Sequence, residues 1–376
     1  MENNHLTYFK VENFKKFDSL EVNDIGQFNL IVGDNNVGKT CLLEALLFDE
    51  DEKQLISNFW IGLTKRGLRF QIEEVTKKMS NSSITETLYP KENYFLKYIF
   101  GKLNTGLKFN FSQTNKNSYT SIYIGDEVEV SLEANRNENK INKIESQLAK
   151  GIKLVDFYNQ FISFDNGKIF LKNVSKFFWI YDYNENILNF PLISFNDTPL
   201  EEETIRIYET LRTKQEKEIL LNALKVVNDK IVGIDFRGSF NDLKSVFLII
   251  YEDQDEFFPL NFMGDGFKRI FYIVLKMLSL RGKRILIDEI EIGVHYSKMK
   301  DFWVNIFKVC KELDVQLFAT THSNECIEAF MEASKEINEK NIRLIRLQEN
   351  KDKSIKAICY KEEYIEYMVE SNTEER

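Results

Sequence analysis

The chain lacks nearly everything that marks a secreted, membrane-bound or modular protein. Only four prolines occur in 376 residues and no Gly/Ser-rich run is present, which excludes an obvious flexible linker. No apolar run reaches the ~18 residues of a membrane span. The opening Met1-Glu2-Asn3-Asn4-His5 has neither the basic flank nor the apolar stretch of a signal peptide. Cys41, Cys310, Cys326 and Cys359 form no CxxC pair, so neither a zinc site nor a disulfide framework is expected. These absences predict a reduced, cytoplasmic setting with no membrane partner. Positive charge is also short. The net charge is −9, whereas a protein that grips nucleic acid over its whole surface is usually basic. DNA binding therefore has no support from net charge, and the small cluster of Lys65, Arg66 and Arg69 reads as a solvated loop.

Apolar and aromatic residues, by contrast, are plentiful. Hydrophobic residues make up 43% of the chain, with 31 Phe and 16 Tyr, enough to core one large domain or two small ones. The most informative stretch is Gly33-Asp34-Asn35-Asn36-Val37-Gly38-Lys39-Thr40, an unbroken phosphate-loop pattern. Gly33 and Gly38 let consecutive N–H groups turn inward, Lys39 offers a charge to the β- and γ-phosphates, and the Thr40 hydroxyl suits Mg²⁺. An apolar strand, Phe28 to Val32, enters the loop, and a helix opening at Cys41 leaves it with its positive end aimed at the anion.

Periodicity divides the remainder. Thr7 to Ile31 reads as two strands around a turn at Asn13 to Phe17, the second leading into the loop. Residues 41 to 79 read as mostly helical. From Leu107 to Phe195 the period is two, with strands at 121–124, 128–132, 168–171 and 177–181 and a polar helical piece at 139–150. Three glutamates at 201–203 open a helix running to about Asp229. Strands follow at 245–251, 285–287 and 315–319, the last two almost wholly apolar, as buried parallel strands are.

Two of those strands end in chemistry. Ile285-Leu286-Ile287 leads to Asp288 and Glu289, two carboxylates at the strand end where parallel sheets collect ligands. Asp288 there suits a Mg²⁺ shell, and Glu289 can polarise an attacking water. Phe318-Ala319-Thr320-Thr321 leads to His322, within reach of a γ-phosphate; two of the three histidines, His295 and His322, fall in such loops. Upstream, Met263-Gly264-Asp265-Gly266-Phe267-Lys268-Arg269 opens an amphipathic helix whose start presents N–H groups to an anion.

The order of phosphate loop, glycine signature, carboxylate strand and His switch resembles that of an ABC-type ATPase head. The segments Ile31 to Leu47 and Met263 to Phe330 resemble the prokaryotic AAA_15/AAA_21 ATPases, relatives of the OLD-family, RecF and SMC heads. The resemblance implies an α/β P-loop NTPase with an antiparallel β subdomain and a helical lid. Its expected parts are a first lobe at 1–199, the lid at 200–235 and a second lobe at 236–376. It further implies ATP and Mg²⁺ as cofactors, with Gly33 to Thr40 and Cys41 at the phosphates and Thr40 and Asp288 at the metal. Lys39, Glu289 and His322 would be catalytic, and Gly264, Asp265 and Gly266 would close over ATP held by a second copy. Gly264 stands where many ABC ATPases carry Ser, which removes one hydroxyl from the γ-phosphate and predicts slow cross-subunit catalysis. Gln71 is the candidate for the family's water-binding glutamine.

These features predict an ATPase that forms a homodimer around two ATP molecules and switches a separate effector. In OLD-like systems that effector is commonly a nuclease acting in antiviral defence. The stretch after His322 is too short for the Toprim nuclease domain that full OLD proteins append. A RecF-like, ATP-gated DNA clamp is the alternative. A transporter motor ranks last, because the phosphate loop and signature lie too far apart.

Overall fold

A computed structural model describes residues 4–49, 52–66, 72–79, 82–90, 107–114, 120–126, 152–157, 160–165, 187–195, 201–241 and 243–370. The chain opens with strands β1 (Leu6–Phe14), β2 (Phe17–Val22) and β3 (Phe28–Gly33), then helices α1 (Lys39–Ala45) and α2 (Glu52–Lys65). Strands β4 (Ile72–Met79), β5 (Ser82–Pro90), β6 (Leu107–Gln113), β7 (Thr120–Asp126), β8 (Ile152–Phe157) and β9 (Gln160–Asp165) follow. After β10 (Leu192–Ile193) come α3 (Glu201–Glu209), α4 (Lys214–Lys225), β11 (Ile231–Phe240), β12 (Leu243–Tyr251) and β13 (Phe258–Pro259). The last third runs α5 (Asp265–Ser279), β14 (Arg284–Ile287), α6 (Met299–Leu313), β15 (Gln316–Thr320) and α7 (Asn324–Glu336). It closes with β16 (Ile342–Glu349), β17 (Ile355–Lys361) and α8 (Glu362–Glu370).

The central sheet has the order β10-β14-β15-β3-β16-β17. Its first five strands are parallel and β17 is antiparallel at one edge. It takes strands from both ends of the sequence, with β3 between β15 and β16. Because side chains alternate along a strand, the sheet feeds two cores. Leu30, Ile285, Ile287, Leu317 and Ala319 join one core with Phe271, Trp303, Phe307 and Phe330 from α5, α6 and α7. Ile31, Leu286 and Phe318 join the other. This two-sided burial explains the unbroken apolar runs Ile285–Ile287 in β14 and Leu317–Ala319 in β15.

The second core is roofed by an antiparallel sheet of order β2-β1-β6-β7-β9-β8. Phe48, just past α1, stacks on Phe9 at 5.1 Å and on Phe109 at 5.6 Å, each such pair adding about 0.5–1.5 kcal/mol beyond burial. The helix leaving the phosphate loop is thereby fastened to the antiparallel sheet.

Three expectations are corrected. The N-terminal segment holds three strands rather than two, and the one entering the phosphate loop, β3, belongs to the parallel sheet. The stretch 41–79 is not helical to its end, since β4 pairs with β5; pairing across a hairpin overrides a local helical reading. The helix expected from 201 to about 229 is two. A capping box at Thr213 and Glu216 starts α4 afresh, and the Glu216 carboxylate accepts the Arg212 and Thr213 N–H groups at 3.0 Å, satisfying donors that a continuous helix would have paired internally. The pieces expected at 128–132, 139–150, 168–171 and 177–181, together with Arg69 and Gln71, lie outside the described residues.

Candidate active site

The carboxyl ends of β3, β14 and β15 lie side by side, since Thr320 pairs with Ile31 and Ala319 with Ile287. All the strand-end chemistry converges there. Between β3 and α1 the loop is forced into shape by its glycines. Gly33 and Gly38 have φ of 139° and 117°, which side chains disfavour. A Cβ on Gly33 would sit 2.4 Å from the Leu347 carbonyl oxygen. Asp34, Asn35 and Asn36 are exposed at the tip, while Val37 and Gly38 are buried beneath it.

Lys39 is buried, and its Nζ donates to the carbonyls of Gly33 at 2.5 Å and Asp34 at 3.0 Å, spanning the loop's own mouth. Burial holds its pKa below the usual lysine value, while Asp288, Asp34, Glu289 and Glu291 pull the other way. Next to it, Thr40 Oγ1 donates to Asp288 Oδ2 at 3.1 Å. A hydroxyl and a carboxylate so juxtaposed are the hard oxygen donors Mg²⁺ prefers, so Thr40 and Asp288 fit a metal bound with a triphosphate. Cys41 is half-buried on α1, and burial raises its thiol pKa.

Thr320, which the sequence presented only as part of the His-switch strand, joins the Asp288 carboxylate to the Glu289 backbone. Its Oγ1 donates to Asp288 Oδ1 at 2.6 Å and accepts the Glu289 N–H at 2.8 Å. Glu289 itself adopts a left-handed backbone, φ 49°, and its Oε1 lies 4.0 Å from His322 Nε2. The His322 N–H donates to Glu291 Oε1 at 3.0 Å, a second unassigned contact. Ser323 then caps α7 by accepting the Cys326 N–H, so His322 sits at a fixed strand-to-helix corner with its ring exposed. A threonine at the end of an apolar strand was the only sequence signal for Thr320. Glu291 offered none beyond its acidity.

Lys39, Thr40, Asp288, Glu289 and His322 are therefore brought together. Gly264, Asp265 and Gly266 are joined to this group indirectly. Gly266 packs on Gly293, in the loop after Glu289, so closely that a Cβ would lie 1.9 Å from the Gly293 oxygen. Asp265 is exposed and pairs with Lys268 at 2.7 Å. The basic cluster is partly structural: Arg66 Nε lies 2.5 Å from the buried Glu44 carboxylate, which also pairs with Lys15, and Lys65 sits over Phe190. Among the described residues, no helix is long and apolar enough to cross a membrane.

The chain is similar to several known proteins. A protein of Helicobacter pylori named ATP/GTP phosphatase is 25% identical over 360 residues, covering 87% of this chain and 88% of that protein. An uncharacterised protein of Methanocaldococcus jannaschii is 40% identical over 75 residues, covering 20% of this chain and 66% of that protein. The solved Smc head bound to the C-winged helix domain of ScpA aligns with a TM-score of 0.54 at 10% identity, covering 96% of this chain and 99% of that one, a likeness of fold alone. The AAA_21 family model ("AAA domain, putative AbiEii toxin, Type IV TA system") matches residues 28–328. That match takes in β3, the phosphate loop, the glycine signature and the His switch, and the chain belongs to the AAA_21 family of ABC-type ATPases.

Proposed function

We propose that the protein hydrolyses ATP at a composite site formed between two copies, and that this cycle switches a separate effector. The observation carrying the reading is the chain of contacts from Thr40 through Asp288 and Thr320 to Glu289, which links the phosphate loop to the Asp288 carboxylate and the Glu289 backbone. In this reading the loop N–H groups from Asp34 to Thr40 and the Lys39 ammonium bind the phosphates, with Cys41 continuing the helix start. Thr40 and Asp288 hold Mg²⁺, which when bound neutralises charge on the phosphate oxygens. Glu289 accepts the proton of the attacking water, and His322 contacts the terminal phosphate. The name of the Helicobacter pylori relative is in keeping with nucleotide hydrolysis.

The second copy supplies Gly264, Asp265 and Gly266. In favour of that role, apolar side chains flank the signature in exposed positions: Phe262 at 67%, Tyr296 at 74% and Ile292 at 37% relative exposure. Large aromatic side chains left in water mark contact surfaces more often than chance. Residues 200–235, with α3 and α4 packed against α5, serve as the lid between lobes at 1–199 and 236–376. The effector is a partner protein, with a defence nuclease the reading that the OLD-like motifs favour.

Mixing two inactive variants tests the composite site. Lys39→Ala removes the phosphate charge and Gly264→Arg blocks the signature; nothing lies within 4 Å of a Cβ on Gly264, so the latter leaves the fold intact. Each alone should be inactive, and equal amounts together should recover ATPase activity, because one site then combines two unaltered halves. Absence of recovery, or full activity of Gly264→Arg alone, would remove the cross-copy signature.

A further inference from the structure

The start of α5 reaches the catalytic loop through a second contact, one turn beyond Gly266. Arg269 is buried, and its guanidinium donates to four backbone carbonyls. Nη2 meets the oxygens of Asp288 at 2.8 Å and Glu289 at 3.1 Å. Nη1 meets those of Phe195 at 3.1 Å and Ser194 at 3.4 Å. A planar fork with fixed donors suits such a cluster of acceptors, where lysine offers a single point. Further along the same helix, Lys276 Nζ donates to the Ile187 carbonyl at 2.9 Å and Ser279 Oγ to that of Leu188 at 3.0 Å. Helix α5 thus holds the 187–195 segment at both ends. That segment contains β10, which pairs directly with the carboxylate strand β14.

Glu289 needs such support. Its left-handed backbone is disfavoured for a residue with a Cβ and persists where surrounding contacts over-determine it. Both of its backbone polar groups are held, the N–H by Thr320 Oγ1 and the carbonyl by Arg269. The carboxylate direction follows from that backbone.

We propose that Arg269 is a positioning residue: it sets the Glu289 backbone and couples it to the signature end of α5, so that a second copy pressing on Gly264 to Gly266 is felt at the Glu289 carboxylate. This rests on the reading above in which Glu289 is the base. Arg269 holds the carbonyls of Ser194, Phe195, Asp288 and Glu289, so its loss should act on the Glu289 backbone and separate turnover from binding.

Steady-state ATPase kinetics and nucleotide affinity are measured for Arg269→Lys, Arg269→Ala and Glu289→Asp, and for each Arg269 variant combined with Glu289→Asp. Melting temperatures verify that each is folded. Arg269→Ala should lower kcat by about tenfold or more, with KM and nucleotide affinity within about threefold. Arg269→Lys, which keeps the charge and most of the stem, should lie between it and the wild type and covers the case in which Ala does not fold. In the Glu289→Asp background the Arg269 losses should largely vanish, because the carboxylate is already displaced. Losses that multiply undiminished, or that fall on affinity instead of kcat, would show a merely structural arginine. Glu289→Ala separates the two readings. An inactive Glu289→Ala beside fully active Arg269 variants overturns the coupling alone, while an active Glu289→Ala removes the base assignment and the coupling with it.

Discussion

The two glycine-bearing loops of this ATPase are built in opposite ways. The phosphate loop is closed within its own chain: Gly33 is wedged against Leu347, Gly38 against the ring of Phe17, and Lys39 and Thr40 find partners in the same copy. The signature loop is anchored from behind, by Gly266 against Gly293, and open in front, with Gly264 facing empty space, Asp265 exposed and Phe262 in water. A loop whose groups are satisfied internally needs only a small ligand to complete it. One that presents bare backbone and an apolar side chain outward leaves room for the second copy proposed above. The difference between the loops teaches more about assembly than either loop alone.

Five measurements would break or sharpen that contrast. The largest effect should come from Lys39→Ala, which strips the internal loop of its charge: turnover should fall about a thousandfold or more, with nucleotide binding lost in a fluorescence titration. Unchanged hydrolysis would end the phosphate-loop assignment. Glu289→Gln should cost about a hundredfold while leaving ATP bound, so that dimers accumulate in light scattering. Normal turnover in that variant would move the base elsewhere.

Thr320→Val, nearly isosteric, removes the hydroxyl shared by Asp288 and Glu289. Breaking a hydrogen bond to a charged group costs about 1.5–3 kcal/mol, so turnover should fall at least tenfold with a raised Mg²⁺ requirement. A variant indistinguishable in Mg²⁺ titration would leave Thr320 as packing. On the outward-facing side, Phe262→Ser should shift the ATP-dependent dimer midpoint several-fold, as loss of an interface aromatic does, without altering nucleotide affinity in the monomer. An unmoved midpoint would take Phe262 out of the interface.

The smallest effect concerns pH. Because burial lowers the Lys39 pKa below the ordinary 10.5, the unfolded chain binds more protons between the lowered value and 10.5. Stability of the nucleotide-free protein should therefore rise with pH across that window, and the penalty is fully present below it. Melting curves of wild type and Lys39→Met from neutral to alkaline pH test the sign. The wild type should gain on the variant as pH increases, and parallel curves would count against it.

Much of the site could be read from the chain because its parts are local. A phosphate loop is eight consecutive residues whose backbone geometry dictates glycine, and β14 and β15 announce themselves as apolar runs ending in polar side chains. The readings that failed were those in which strand pairing decided the structure, such as β4 against β5, or in which a cap divided one helical period into α3 and α4. Thr320 and Arg269 went unassigned for a related reason. A threonine at a strand end or an arginine in a helix has many uses, and its use here is set by carbonyls and carboxylates far away in sequence.

What the sequence by itself determined was the inventory: the phosphate cradle, two carboxylates at one strand end, a histidine at another, and their order along the chain. The tertiary structure decided the geometry among them. The sheet order β14-β15-β3 sets non-consecutive strands side by side, bringing Thr40 to Asp288 and Thr320 to the Asp288 carboxylate and the Glu289 N–H. The packing of α5 decided that Gly266 and Arg269 bear on the Glu289 loop and that Gly264 faces outward. Backbone preference is a property of neighbours in sequence, whereas a hydrogen bond between residues 40 and 288 exists only once the whole sheet has formed.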